Sequence, residues 1–215
     1  MTESNTGTWA TTRQISPTER FFRLHRKFDD HGNPLGPVWF CRCGKCRFDL
    51  MGDDDAGTYY LAENPLAAYM EVFLRYDDEA VLESDLRMRK LAEVSLERPI
   101  QVLNMTARRN KGRRNITSAI WNEPGPDYPL SQKFALDIFS EALEGIWYIS
   151  FKDPAKKEAN LAVFSEAHGH DVDKLFEVHR DDEVPVSLAY EAADEFEIPF
   201  TRDPRGSYPR RKAAN

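Results

Sequence analysis

GTYYLAENPLAAYMEVFLR, Gly57 to Arg75, carries the plainest secondary-structure signal in the chain. Gly57 opens an alternating run in which Thr58, Tyr60 and Ala62 point one way and Tyr59, Leu61 and Glu63 the other, the period of a strand. Asn64 followed by Pro65 is a helix start: a side-chain acceptor for the first amides, then a residue with no amide hydrogen to satisfy. Leu66, Tyr69, Met70 and Phe73 then recur at helical spacing and predict a helix from Pro65 to about Arg75. Glu71 sits beside that stripe, one turn after Ala67 and Ala68, where two small side chains leave space in front of a carboxylate.

Upstream, ERFFRLHR reads as a first strand, and residues 1–18 as a flexible arm without periodicity. Lys27 to Gly57 is broken by glycines, by Pro34 and Pro37 and by aspartates, which predicts a long loop with short extended pieces such as PVWF. Downstream, residues 79–98 read as a charged helix or helical turns, and PIQVLNM as a strand. DYPLSQKFALDIFSEALEG predicts a helix on Leu130, Phe134, Ile138 and Ala142, with Gly145 as its stop. IWYISF is a strand with Ile146, Tyr148 and Ser150 on one face, and NLAVF is a further strand. Irregular alternation of strands and helices predicts an α+β domain over residues 19–185, with 186–215 a partly disordered extension.

At 215 residues with 41% hydrophobic and 12% aromatic side chains, the chain can fill the core of one domain. It has no apolar run of the roughly 18 residues a membrane helix needs. The opening MTESNTGTWATTRQ has no apolar core of a secretory signal, so a cytoplasmic location is expected. The net charge of −7 argues against direct DNA binding. Arg108, Arg109, Lys111, Arg113 and Arg114 are a local basic cluster, and RDPRGSYPRRKAAN a basic tail, both expected to be solvated. Cys41, Cys43 and Cys46 form CRCGKC, an odd, clustered set that is no disulfide framework. Cys43 and Cys46 have the spacing of half a zinc site, and His25 or His31 could add a ligand. Since only three sulfur ligands exist and they lie close together, free thiols and no bound metal are expected.

Four features can carry chemistry: the arginines of FFRLHR and CRFDL, the tyrosines of GTYYLAE, Glu71, and Ser150 in GIWYISF. Singly, each has an ordinary structural reading: ion-pair partner, core aromatic, boundary carboxylate, strand cap. In this order they resemble the RES domain, named for an arginine, a glutamate and a serine. The resemblance runs over FFRLHR, CRFDL, GTYYLAENPLAAYMEVF and EGIWYISFKDPAKKEANLAVF, about residues 19–165. The family arginine falls on Arg23 or Arg47. The CRCGKC insert departs from the family pattern.

The resemblance implies a compact α+β fold similar to the ADP-ribosyltransferase catalytic core. It implies a toxin-like enzyme that consumes NAD as substrate at the nicotinamide–ribose bond, by hydrolysis or phosphorolysis. A cognate antitoxin, a small helix-turn-helix protein, would hold it inactive. Glu71 is then the carboxylate that stabilises the ribose cation, and Ser150 a hydrogen-bonding partner of the ribose or carboxamide. Arg23 or Arg47 would bind the pyrophosphate, and Tyr60 would stack on nicotinamide or ribose and orient it with its hydroxyl. No G-x-G-x-x-G is present, so the dinucleotide would not be held in the Rossmann manner. Two other readings stand beside this one: ADP-ribose transfer to a protein acceptor, and a non-catalytic module binding metal through CRCGKC and nucleic acid through residues 108–114.

Overall fold

The strand–turn–helix unit predicted at Gly57 forms at the centre of the molecule. A computed structural model describes residues 11–52, 55–74, 80–107, 118–125, 127–150, 157–170, 174–197 and 199–202. In chain order the elements are β1 (Thr12–Ile15), β2 (Phe21–Arg26), β3 (Trp39–Phe40), β4 (Gly57–Ala62), α1 (Pro65–Phe73), β5 (Val81–Leu82), α2 (Glu83–Arg87), β6 (Arg89–Leu96) and β7 (Ile100–Asn104). There follow α3 (Ser118–Trp121), α4 (Pro129–Ser140), β8 (Gly145–Ile149), β9 (Ala159–Ser165), β10 (Gly169–His170), β11 (Phe176–Glu183), α5 (Val186–Phe196) and β12 (Phe200–Thr201). The basic cluster at 108–114 and the tail beyond Arg202 lie outside the described residues.

Eight strands form one sheet in the order β1-β7-β8-β9-β4-β2-β6-β11. Its pairs are antiparallel apart from β7 beside β8, so the sheet is mixed and the class α+β, as predicted. The stretch read as an arm contributes edge strand β1, paired with β7 from Thr12 to Ile15. One face of the sheet is a continuous apolar layer including Phe21, Tyr59, Leu61, Val94, Trp147 and Leu161. The other carries two separate layers. Leu24 and Ala62 pack with Ala67, Ala68 and Tyr69 of α1 and Leu188 and Ala192 of α5. Phe164 and Ile146 pack with Phe134 and Ile138 of α4 and with Phe48 and Leu50. β4 lies at the seam, giving Ala62 to one layer and Tyr60 to the other.

Helix α1 starts as its sequence dictates, with Asn64 Oδ1 accepting the Ala67 amide at 2.8 Å. Its alanines are buried against the sheet and α5 rather than framing open space before Glu71. Two further expectations are corrected. Residues 89–96, read as helical, form strand β6, because Ala92, Val94 and Leu96 alternate into the core, a period masked by the charged run before them. Gly145 does not stop α4, which ends at Ser140; it opens β8. A Cβ there would lie 2.3 Å from the Ala162 carbonyl oxygen, so close strand contact requires the glycine.

Candidate active site

Glu71 of α1, Ser150 just after β8 and Asn160 of β9 meet at the seam between the two helical layers. Glu71 Oε1 accepts the Ser150 hydroxyl at 2.6 Å and the Asn160 amide Nδ2 at 2.7 Å. Both donors are 1% exposed while Glu71 is half-buried, so two sequestered donors grip a carboxylate that still reaches the surface. Hydrogen bonds to a charged acceptor are about twice as strong as neutral ones, and two of them fix the carboxylate's orientation. The buried Asn160 Oδ1 finds no hydrogen-bond partner among the described residues, an acceptor that a bound amide or hydroxyl can satisfy.

Tyr148 and Tyr60 extend the same face. Tyr148 shares it with Ser150 by strand alternation, as predicted, and its ring meets Phe48 edge-on at 5.0 Å. Burial pushes the Tyr148 phenol pKa well up and the charge of Glu71 adds to this, while Arg47 and the Asn160 amide oppose it. Tyr148 therefore lies within electrostatic reach of both Glu71 and Arg47. The Arg47 guanidinium donates to the carbonyls of Ile120 at 3.1 Å and Glu123 at 3.3 Å and lies 5.1 Å from the Tyr128 ring centre. Glu123 in turn accepts the amides of Leu130 and Ser131 at 2.7 Å each, capping α4. Burial alone would raise the Glu123 pKa, but those bonds and the charge of Arg47 hold it below the ordinary value.

Tyr60 is placed beside this group but its hydroxyl is committed. It accepts the Phe48 amide at 2.9 Å and donates to Asp49 Oδ1 at 3.0 Å. The expected orienting role of that hydroxyl toward a ligand is therefore replaced by a role inside the protein. Arg23 is not brought to the site. It follows Phe22, which pairs with Ala62, so Arg23 lies on the opposite face. There its guanidinium stacks 4.6 Å from the Tyr59 ring centre and donates to the Trp39 carbonyl at 3.0 Å. Asn160 was not singled out from the sequence; its signal was a lone amide at the head of an otherwise apolar strand, NLAVF. A cavity of about 850 Å³ elsewhere, bordered by Leu136, Phe139, Leu143 and Phe164, contains none of these residues.

A family model described as the RES domain matches residues 20–206. The chain belongs to the RES-domain family. Among curated proteins, none matches its sequence. Among solved structures, this RES-domain chain is similar to one in the crystal structure of the M. tuberculosis MbcT-MbcA toxin-antitoxin complex. The likeness has a TM-score of 0.61 at 12% identity and covers 84% of this chain and 92% of that one. At that identity the likeness concerns the fold. The RES-domain match takes in α5 as well as the eight-stranded sheet from β2 onward. Among the described residues no helix is long and apolar enough to cross a membrane.

Proposed function

We propose that this RES-domain chain is a toxin-like enzyme that cleaves NAD at the nicotinamide–ribose bond, with water or phosphate as acceptor. The observation that carries the reading is the Glu71 carboxylate held by Ser150 and Asn160 at the seam of the sheet face. Loss of nicotinamide leaves positive charge at the ribose anomeric carbon, and a fixed carboxylate beside that carbon stabilises the charge as it develops. Ser150 acts here by positioning Glu71; among the described residues no histidine–aspartate pair accompanies it as a nucleophile would require. The orphaned Asn160 Oδ1 supplies an acceptor for a ribose hydroxyl or the carboxamide.

Of the two candidate arginines, we assign the pyrophosphate to Arg47, on the same side as Glu71, and a packing role to Arg23 behind the sheet. A guanidinium oriented by two carbonyls suits a phosphate pair because its planar fork is already set. The family membership, and the fold shared with a chain from a toxin–antitoxin complex, support the toxin reading. We further infer a cytoplasmic location and a cognate antitoxin of helix-turn-helix type whose segment closes the NAD cleft. Incubating purified chain with NAD, with and without phosphate, and identifying products by mass spectrometry tests the reaction. Nicotinamide with ADP-ribose or its phosphorylated form is expected; intact NAD would overturn it. ADP-ribose appearing only on added protein would favour the transferase.

A further inference from the structure

Cys41, Cys43, Cys46 and Asp49 bring one ligand atom each to within 4.8 Å of one another. The sequence expectation of unliganded thiols rested on a count of three, and Asp49, three residues after Cys46, makes the count four. Two of the six spacings match the edges of a zinc tetrahedron, and all six lie within 4.8 Å. Zinc–sulfur bonds of about 2.3 Å and zinc–oxygen bonds of about 2.0 Å imply edges of about 3.8 Å between sulfurs and about 3.5 Å from sulfur to oxygen. Cys43 Sγ lies 3.8 Å from Cys46 Sγ and 3.4 Å from Asp49 Oδ2.

The scaffold around these atoms is prepared. Cys41 is pinned to β4 by a two-way backbone bridge with Thr58, at 2.8 and 2.9 Å. Gly44, at φ +71°, supplies the left-handed residue in the turn that folds Cys43 back toward Cys46. The Gln132 amide of α4 clamps the carbonyls of Gly44 and Cys46 at 2.9 and 3.1 Å. Asp49 is 0% exposed, and its Oδ1 takes the Tyr60 hydroxyl while its Oδ2 faces the thiols. Among the described residues no cationic side chain pairs with this carboxylate. A buried carboxylate among thiols is costly unless a cation balances it, and a ligating carboxylate is ordinarily hydrogen-bonded from behind as Tyr60 does here.

We propose that Cys41, Cys43, Cys46 and Asp49 bind one zinc ion as a closed structural site. Three thiolates select a thiophilic metal and the carboxylate favours a dication, which together fit zinc. Four protein ligands leave no open position for catalysis. Arg47 stands between ligands Cys46 and Asp49, so the ion fixes the segment that carries it. That consequence for NAD rests on the function proposed above; the metal site does not.

The test uses full-length chain purified without a metal-binding tag in zinc-supplemented medium. Elemental analysis should return about one zinc per chain, and Cys43→Ser and Asp49→Asn should each lower occupancy at least tenfold after dialysis. In case a variant fails to fold, the unmodified chain refolded with cobalt should show the intense visible bands of a tetrahedral thiolate complex. A strong chelator should lower its melting temperature whether or not it cleaves NAD. Unmodified chain without zinc that also gives no tetrahedral cobalt spectrum, or a Cys43–Cys46 disulfide in freshly purified protein, would overturn the proposal.

Discussion

Arg47 and Arg23 are equivalent as letters and opposite in placement. Arg47 is anchored to the Ile120 and Glu123 carbonyls on the side of the sheet where Ile120, Phe48 and Tyr148 pack, whereas Arg23 stacks on Tyr59 behind the sheet. Arg47→Ala is therefore expected to raise KM for NAD at least tenfold, because a phosphate clamp acts on the ground state as well as the transition state. Arg23→Ala should leave KM near wild type and lower stability, since it removes a cation–π contact and a half-buried hydrogen bond. Steady-state kinetics with thermal melts on both variants separates these outcomes; equal KM increases would contradict the placement. Counted periods gave the helix that carries Glu71 and the strand that Ser150 follows, while the expectation that the two act together came from the order of the motifs. The two-sided question of Arg23 was not, because the pairing of Phe22 with Ala62 joins segments 40 residues apart, and only register says which face a strand residue takes. Asp49 was visible as part of CRFDL, but its approach to the cysteines depends on the turn at Gly44.

Among the elements, β4 and α1 were readable because one short stretch carries strand period, cap and helical stripe together. Asn64→Ala should destabilise the chain by about 1 kcal/mol through the lost cap, measured by denaturant unfolding. β6 was hidden because its alternation begins behind ESDLRMRK, whose charges match a helix surface equally well. Strands β2, β6 and β11 are cross-linked by Asp181, which meets His25 Nε2 at 2.7 Å and Lys90 Nζ at 2.9 Å. Burial works against the Asp181 carboxylate, but the bonds from His25 and Lys90 outweigh it and hold its pKa below the ordinary 3.8. A carboxylate with a depressed folded pKa contributes stability above its unfolded value and loses it as pH falls through the folded one. Asp181→Asn should thus cost on the order of 1 kcal/mol at neutral pH, allowing for its partial exposure. The difference from wild type should shrink below about pH 3.8. A gap that stayed constant into acid would show that the carboxylate's charge is not what holds these strands.

At the scale of the whole molecule, the sheet has one continuous apolar face and one face divided between the α1–α5 layer and the α4 layer. The division frames the candidate site: the two layers are separate clusters that both draw on β4, and the polar groups Glu71, Ser150 and Asn160 meet at their seam. Sequence periodicity predicted helices α1 and α4 but not α5, which falls in the stretch read as a partly disordered extension, and not the seam, which depends on how α1 and α4, distant in the chain, settle on one sheet. A toxin-like role predicts that expressing the chain alone lowers cellular NAD and halts growth, and that Glu71→Gln removes both effects. Wild-type growth with NAD depleted, or arrest by Glu71→Gln, would separate the cellular role from the chemistry. The chemistry itself is tested most directly by nicotinamide release from NAD with purified wild-type and Glu71→Gln chains, their folds matched by circular dichroism and melting. Glutamine keeps the Oε1 acceptor for Ser150 and Asn160 but removes the charge, so release should fall about a hundred- to a thousandfold. Release by Glu71→Gln at the wild-type rate would contradict a mechanism centred on this carboxylate.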